Sequence, residues 1–190
     1  VLADSAAVPP QNIYKTVVHN TQMTKHELTF SKIKELLESN FPKMISEFEN
    51  GTHLTLNSEN EDESPIWIEL DEGGMLTVGI GAAHKHFYPN IDNLNEGFNE
   101  FLHFLTCKKK RTDFYKGESQ FKSIYYYELK NGTFKNYGTV SNLNLSFWKK
   151  ITEKTITQNG FVEYEEIESE IDNIKSTMHN NAYILCLFFG

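Results

Sequence analysis

Two histidines separated by a single residue, His84 and His86, are the positions in this chain whose spacing points most directly to chemistry. In an extended segment, residues two apart project to the same side. Both imidazoles would then face one way, an arrangement that metal sites use. Such a site needs a third protein ligand, and local spacing supplies none. Glu69 lies on the hairpin face away from the apolar residues, and the register read from the sequence does not carry it to the histidines. The other readings are a strand-end turn packed by its rings and a polar lining of a partner surface.

Nucleophilic chemistry finds less support. Cys107 precedes a basic run that would lower its pKa, but its apolar flank reads as the setting of a small core residue. No G-x-S-x-G, no H-E-x-x-H and no phosphate-cradling glycine loop occurs. Gly79-Ile80-Gly81 is strand glycine, because His84 stands where the third glycine of a dinucleotide fingerprint belongs. The acid runs 58–64 (SENEDES) and 163–170 (EYEEIESE) read first as solvated surface. No cofactor is expected.

The element that must position the histidines is a hairpin over 66–80. Ile66, Ile68 and Leu70 alternate with Trp67 and Glu69, and Leu76, Val78 and Ile80 alternate with Thr77 and Gly79. If Asp71 faces Met75, a three-residue loop places Gly74 in the left-handed conformation such loops need. Leu70 then faces Leu76, Ile68 faces Val78, and Ile66 faces Ile80, so all six share one face. On the other face Trp67 lies opposite Gly79, where a missing side chain leaves room for the ring.

The remaining elements come in chain order. Phe30, Ile33, Leu36, Leu37 and Phe41 have helical spacing. Pro42 is expected in the first turn of a second helical segment carrying Met44, Ile45 and Phe48, capped by Asn50-Gly51. A strand is expected over 52–57, then an acidic loop. A helix from Leu94 buries Leu94, Phe98, Phe101, Leu102 and Leu105, and Lys108 to Arg111 suits the negative end of its dipole. Asn131-Gly132 predicts a second hairpin with Leu129 opposite Phe134, Glu128 opposite Lys135 and Tyr126 opposite Tyr137. Strands are expected over 143–151 and 153–158. A helix comes next, marked by Tyr164, Ile167, Ile171, Ile174 and Met178, and the apolar run 183–189 reads as a buried strand. Strands that arrive in hairpins make an antiparallel sheet with helices packed on one face, an α+β class. Residues 1–22 read as an N-terminal arm or an added segment, and 23–190 as a single α+β domain.

Composition sets the outer limits. The 190 residues carry 26 acidic against 18 basic side chains, a net charge of −8. That balance disfavours nucleic acid, whose phosphates require Lys and Arg, and favours a basic partner or solubility. Two cysteines far apart form no disulfide framework, so a reducing cytoplasm is expected. No run approaches the roughly 20 apolar residues of a membrane span, and the N-terminus lacks a signal-peptide pattern.

The residues Leu70-Asp71-Glu72-Gly73-Gly74, Leu76-Thr77-Val78-Gly79-Ile80-Gly81 and His84-Lys85-His86-Phe87, followed by a helix, resemble small bacterial immunity proteins of polymorphic toxin systems. The resemblance covers roughly residues 66–105. It implies a cytoplasmic, non-catalytic protein that binds a cognate toxin and blocks it, and it transfers no individual binding residue. The expected contacts come from the residues themselves. Glu59, Glu61, Asp62 and Glu63 form an acidic loop that would steer a basic toxin. Tyr125, Tyr126 and Tyr127 offer large amphipathic contact area unless helices bury that sheet face. The alternatives are a metal-assisted hydrolase using His84 and His86, and a structural or adaptor domain.

Overall fold

A computed structural model describes residues 23–143 and 148–179. The first element of the described residues is helix α1 (Lys25–Asn40). Thr24 caps it in a reciprocal box with Glu27, which satisfies two amide groups that have no partner inside the helix. Phe30, Ile33, Leu36 and Leu37 line its buried face. Helix α1 ends at Asn40 because Phe41 precedes a proline, and a residue before proline is pushed out of the helical region.

The next segment departs from the expected second helix. Ile45–Phe48 is a strand, β1, paired antiparallel with β2 (His53–Leu56). Asn50 and Gly51 do have positive φ, at 56° and 88°. They turn a hairpin rather than cap a helix. Four residues carry too little periodicity to separate the two readings, and the neighbouring strand decides it.

Strands β3 (Ile66–Leu70) and β4 (Leu76–Ile80) form the expected hairpin in the expected register, with Trp67 opposite Gly79. Asp71 donates its amide to the Met75 carbonyl, and Gly74 has φ 78°. Strand β5 (Ala83–Phe87) completes a five-stranded antiparallel meander, β1-β2-β3-β4-β5. Helix α2 (Leu94–Thr106) lies across its inner face. Gly97 leaves no room for a side chain between them, since a Cβ there would stand 2.7 Å from a Leu76 methyl and 2.8 Å from the Phe87 ring.

A second antiparallel sheet has the order β8-β7-β6-β9. It comprises β6 (Lys109–Lys116), β7 (Ser119–Glu128), β8 (Phe134–Ser141) and β9 (Ile151–Gln158). The Asn131-Gly132 hairpin is present with its register moved by one residue. Glu128 faces Phe134, Tyr127 faces Lys135, and Tyr126 faces Asn136 rather than Tyr137. The loop holds three residues instead of two: Leu129 faces Thr133 through its amide, and Gly132 has φ 79°. Because Tyr127 faces Lys135, Tyr137 two residues further on lies on the same side as Tyr127, and a bulge between Tyr125 and Tyr126 then sets Gly138 opposite Tyr125. Leu143 and Trp148, expected in a strand, lie in irregular, exposed chain, 88% and 81% accessible; residues 144–147 lie outside the described residues.

Helix α3 (Glu168–His179) packs on α1 and buries Ile171, Ile174 and Met178. Tyr164 falls in a preceding 3-10 turn (Tyr164–Glu166) instead of in the helix. One hydrophobic cluster draws from both sheets and all three helices, including Phe30, Ile68, Phe98, Tyr137 and Ile174. The fold is α+β, as expected, with two antiparallel sheets where one was expected. The apolar run 183–189 and residues 1–22 lie outside the described residues.

Candidate functional site

The strand alternation that buries Ile66, Ile68 and Leu70 must turn the intervening residues to the opposite face. On the five-stranded sheet those residues form a continuous row of rings. Phe48 on β1 meets His53 on β2 at 5.9 Å between ring centroids, and His53 stacks on Trp67 of β3 at 5.2 Å and 14°. Trp67 reaches His84 of β5 at 5.6 Å, His84 meets His86 at 4.9 Å, and His86 meets Tyr88 at 6.3 Å.

The row crosses β4 because Gly79 is there. A Cβ on Gly79 would lie 2.2 Å from Trp67 Cε2. The indole therefore lies flat over the glycine and donates from Nε1 to the Gly81 carbonyl at 2.9 Å. Phe48 and Tyr88 are 56% and 46% exposed, and His84 and His86 are exposed between them.

Three polar contacts hold the row. His53 pairs with Glu69 at 3.3 Å through Nδ1 and with Thr55 Oγ1 at 3.1 Å through Nε2. Thr77 Oγ1 lies 3.0 Å from His86 Nδ1. Glu69 does share the face of the histidines, since the register runs Glu69, Thr77, His86. Two strand spacings still separate it from His86, about 10 Å, and its partner is His53. Among the described residues no group of three His, Cys, Asp or Glu side chains is placed to hold a metal ion. His84 and His86 point the same way, as their spacing predicts, but the third ligand is missing.

The expected partner-binding tyrosines are mostly inside. Tyr125 and Tyr127 are each only 6% exposed. Tyr125 reaches with its hydroxyl toward the Ala82 amide at 3.4 Å, under the β4–β5 turn. Tyr127 packs against Phe104 and Tyr137 at 5.3 and 6.1 Å. Their expected role as contact residues is corrected: they join the second sheet to the core. Tyr126 alone of the three faces outward, half-buried, with Lys110 Nζ 4.6 Å from its ring centre.

The acidic loop is exposed at Glu59 and Glu61, but its far end is tied down. Asp62 pairs with Lys154 at 3.1 Å, and Arg111 donates to the Asp62 carbonyl and to Ser64 Oγ. Ser58 donates to Glu63 at 2.5 Å. Gln158 exchanges two hydrogen bonds with the Ser64 backbone. Two of the four carboxylates are thus already engaged within the chain.

The basic run belongs to a strand rather than to the end of α2, yet one member still serves that helix. Lys109 is 1% exposed and its ammonium donates to the carbonyls of Phe104 at 2.7 Å and Cys107 at 3.1 Å. It meets helix carbonyls that lack an intrahelical partner. Burial pushes it down from 10.5 to about 8. Between those values the unfolded chain holds a proton that the folded chain has released, so stability rises with pH through this window, and below it the burial cost is fully felt. Relative to Lys109→Met, wild type is expected to gain about 2 kcal/mol between pH 7.5 and 9.5. Urea midpoints of both proteins across that range test this, and a constant difference contradicts it.

Cys107 is buried beside it, and burial raises its thiol from 9.0 to about 11. This is the core role its flanks predict, and it leaves little thiolate at neutral pH. Cys186 lies outside the described residues. Cys107 and His103 border an open groove of about 820 Å³ between α2, the β7–β8 turn and residues 163–165. His103 Nε2 is taken up there by the Glu128 carbonyl at 2.8 Å.

Phe48 and His53 are not legible as site residues in the sequence. The spacing around Phe48 suggests a helix, and His53 carries no signal beyond its place in an alternating strand. The opposition of Trp67 and Gly79 and the same-facing pair His84 and His86 are the pointers to this face that the sequence offers. Among the described residues no helix is long and apolar enough to cross a membrane. No protein-family model, curated protein or solved structure matches this chain.

Proposed function

We propose that this chain is a non-catalytic cytoplasmic protein that neutralises a cognate bacterial toxin by binding it, with the outer face of the five-stranded sheet as the contact surface. The observation that carries this reading is the ring row Phe48, His53, Trp67, His84, His86 and Tyr88, which crosses all five strands and is exposed at Phe48, His84, His86 and Tyr88. Contact energy in protein interfaces concentrates in aromatic anchors held rigid by their own neighbours. Trp67, clamped between His53 and His84 over Gly79, has that character. The toxin class comes from the likeness of residues 66–105 to immunity proteins.

A basic toxin would meet its steering charge mainly along the exposed acids Glu163, Glu165, Glu166, Glu168, Glu170 and Asp172, and to a smaller extent at Glu59 and Glu61. The test uses the protein encoded next to this one. Replacing Phe48 and Tyr88 by serine and His84 and His86 by alanine alters exposed side chains, so the fold should persist. Binding to the neighbouring toxin should weaken at least about 30-fold, as for loss of hot-spot contacts of about 2 kcal/mol or more. Protection of co-expressing cells should fall with it. Full protection by a folded quadruple variant would exclude this face as the toxin contact.

A further inference from the structure

The whole-chain charge of −8 is an average over two unlike parts. Residues 108–158, which contain the four-stranded sheet, hold eleven Lys and Arg against four Asp and Glu, a net of +7, which leaves −15 on the rest. The sheet has two faces. One buries Lys109, Asp113, Ser123, Tyr125 and Tyr127. The other carries Lys110 and Phe114 from β6, Lys122, Tyr126 and Glu128 from β7 and Glu153 from β9, with Phe134 at the start of β8.

On this outer face cations and rings occur together. Lys110 Nζ lies 4.6 Å from the ring centre of Tyr126 and 4.7 Å from that of Phe134. Lys122 Nζ lies 5.2 Å above Phe114. The rings are half-buried, each with a lysine ammonium over it at the end of a flexible stem. Phe114 follows Lys110 by four positions, so the two cation–ring clusters are separated by about 13 Å along the strand. Thr112, Thr155, Thr157 and Asn136 add hydroxyl and amide groups on the same side.

We propose that this outer face binds single-stranded RNA, with Lys110 and Lys122 on phosphates and Tyr126, Phe134 and Phe114 stacking on bases. An open antiparallel sheet can present rings for unpaired bases while lysines beside them neutralise the backbone. A duplex hides its base faces and leaves the rings without a role. An acidic protein surface would use the lysines but not the rings in that way. The threonine hydroxyls and the asparagine amide favour RNA over DNA, because a 2′-hydroxyl gives them a partner. This surface is separate from the ring row of the five-stranded sheet, and the proposal does not depend on toxin binding.

The test is fluorescence anisotropy of the full chain with labelled oligouridylate of about 12 nucleotides at about 50 and 200 mM salt. Saturable binding is expected at the lower salt, weakening as salt rises by a log–log slope of about −0.7 for each phosphate neutralised. The pair Lys110→Glu and Lys122→Glu should weaken binding at least about tenfold and shrink the slope by about 1.4, whereas arginine at both positions should preserve it. Tyr126→Leu with Phe134→Leu should weaken binding and leave the slope unchanged. Three results overturn the proposal without relying on a variant: no binding of oligouridylate at the lower salt, equal binding of oligothymidylate, or displacement of the RNA by polyglutamate at matched charge. Unchanged affinity in a folded charge-reversed variant overturns it as well.

Discussion

Replacement of Phe104 by alanine is expected to lower the unfolding free energy by about 3–5 kcal/mol. The side chain is fully buried, with ring centres 5.3 Å from Tyr127 and 5.1 Å from Tyr137. It is the point where α2, which covers the five-stranded sheet, also meets the four-stranded one. Truncation removes the transfer free energy of a benzyl group and leaves a cavity whose walls stand on two sheets and a helix, so collapse around it is restricted. The loss is a large share of the roughly 5–15 kcal/mol that holds a domain of this size. The Tyr137 hydroxyl, which donates to the Val78 carbonyl at 2.6 Å, also loses a flank that fixes its ring. Chemical denaturation followed by far-ultraviolet dichroism should show one transition moved to lower denaturant. A shift worth under about 1 kcal/mol would mean that the sheet junction bears little of the stability.

Gly79→Val is expected to destabilise the chain by about 3 kcal/mol, near the upper end for overpacking, and to unseat Trp67. Valine is a favourable strand residue, so intrinsic propensity predicts no loss. The cost comes from space alone: a Cβ would stand 2.2 to 2.6 Å from three indole atoms. The indole is stacked on His53 and bonded through Nε1 to Gly81, so it cannot turn aside without giving up both. In a Trp148→Phe background, which removes the exposed second tryptophan, emission should move to longer wavelength as Trp67 gains water. Affinity for a partner that docks on the ring row should fall with it. An unchanged emission maximum and melting temperature would show that the sheet relaxes around the valine.

The β3–β4 register is legible in the sequence because six apolar residues, one acidic-glycine loop and the Trp67–Gly79 opposition all demand the same pairing. A one-residue slip would turn every side chain over. Helix α2 is legible for the same reason, through Phe98, Phe101, Leu102 and Leu105 on one stripe. The β7–β8 register is not. A two-residue and a three-residue loop both satisfy Asn131-Gly132, and the alternation of Tyr125, Tyr126 and Tyr127 offers aromatic side chains to either face. The choice falls to Phe104 and Val78, distant in sequence, which take up Tyr127 and Tyr137.

The short strand Ile45–Phe48 is likewise settled from outside, by its pairing with β2. The ring row shows the same limit at the candidate site. Each member is an ordinary outward residue of its own strand, and only the order of the five strands brings His53, Trp67 and His84 into contact. Charge obeys it in part: the +7 of residues 108–158 and the −15 of the rest can be counted along the chain, but which of those side chains share a sheet face depends on which strands pair.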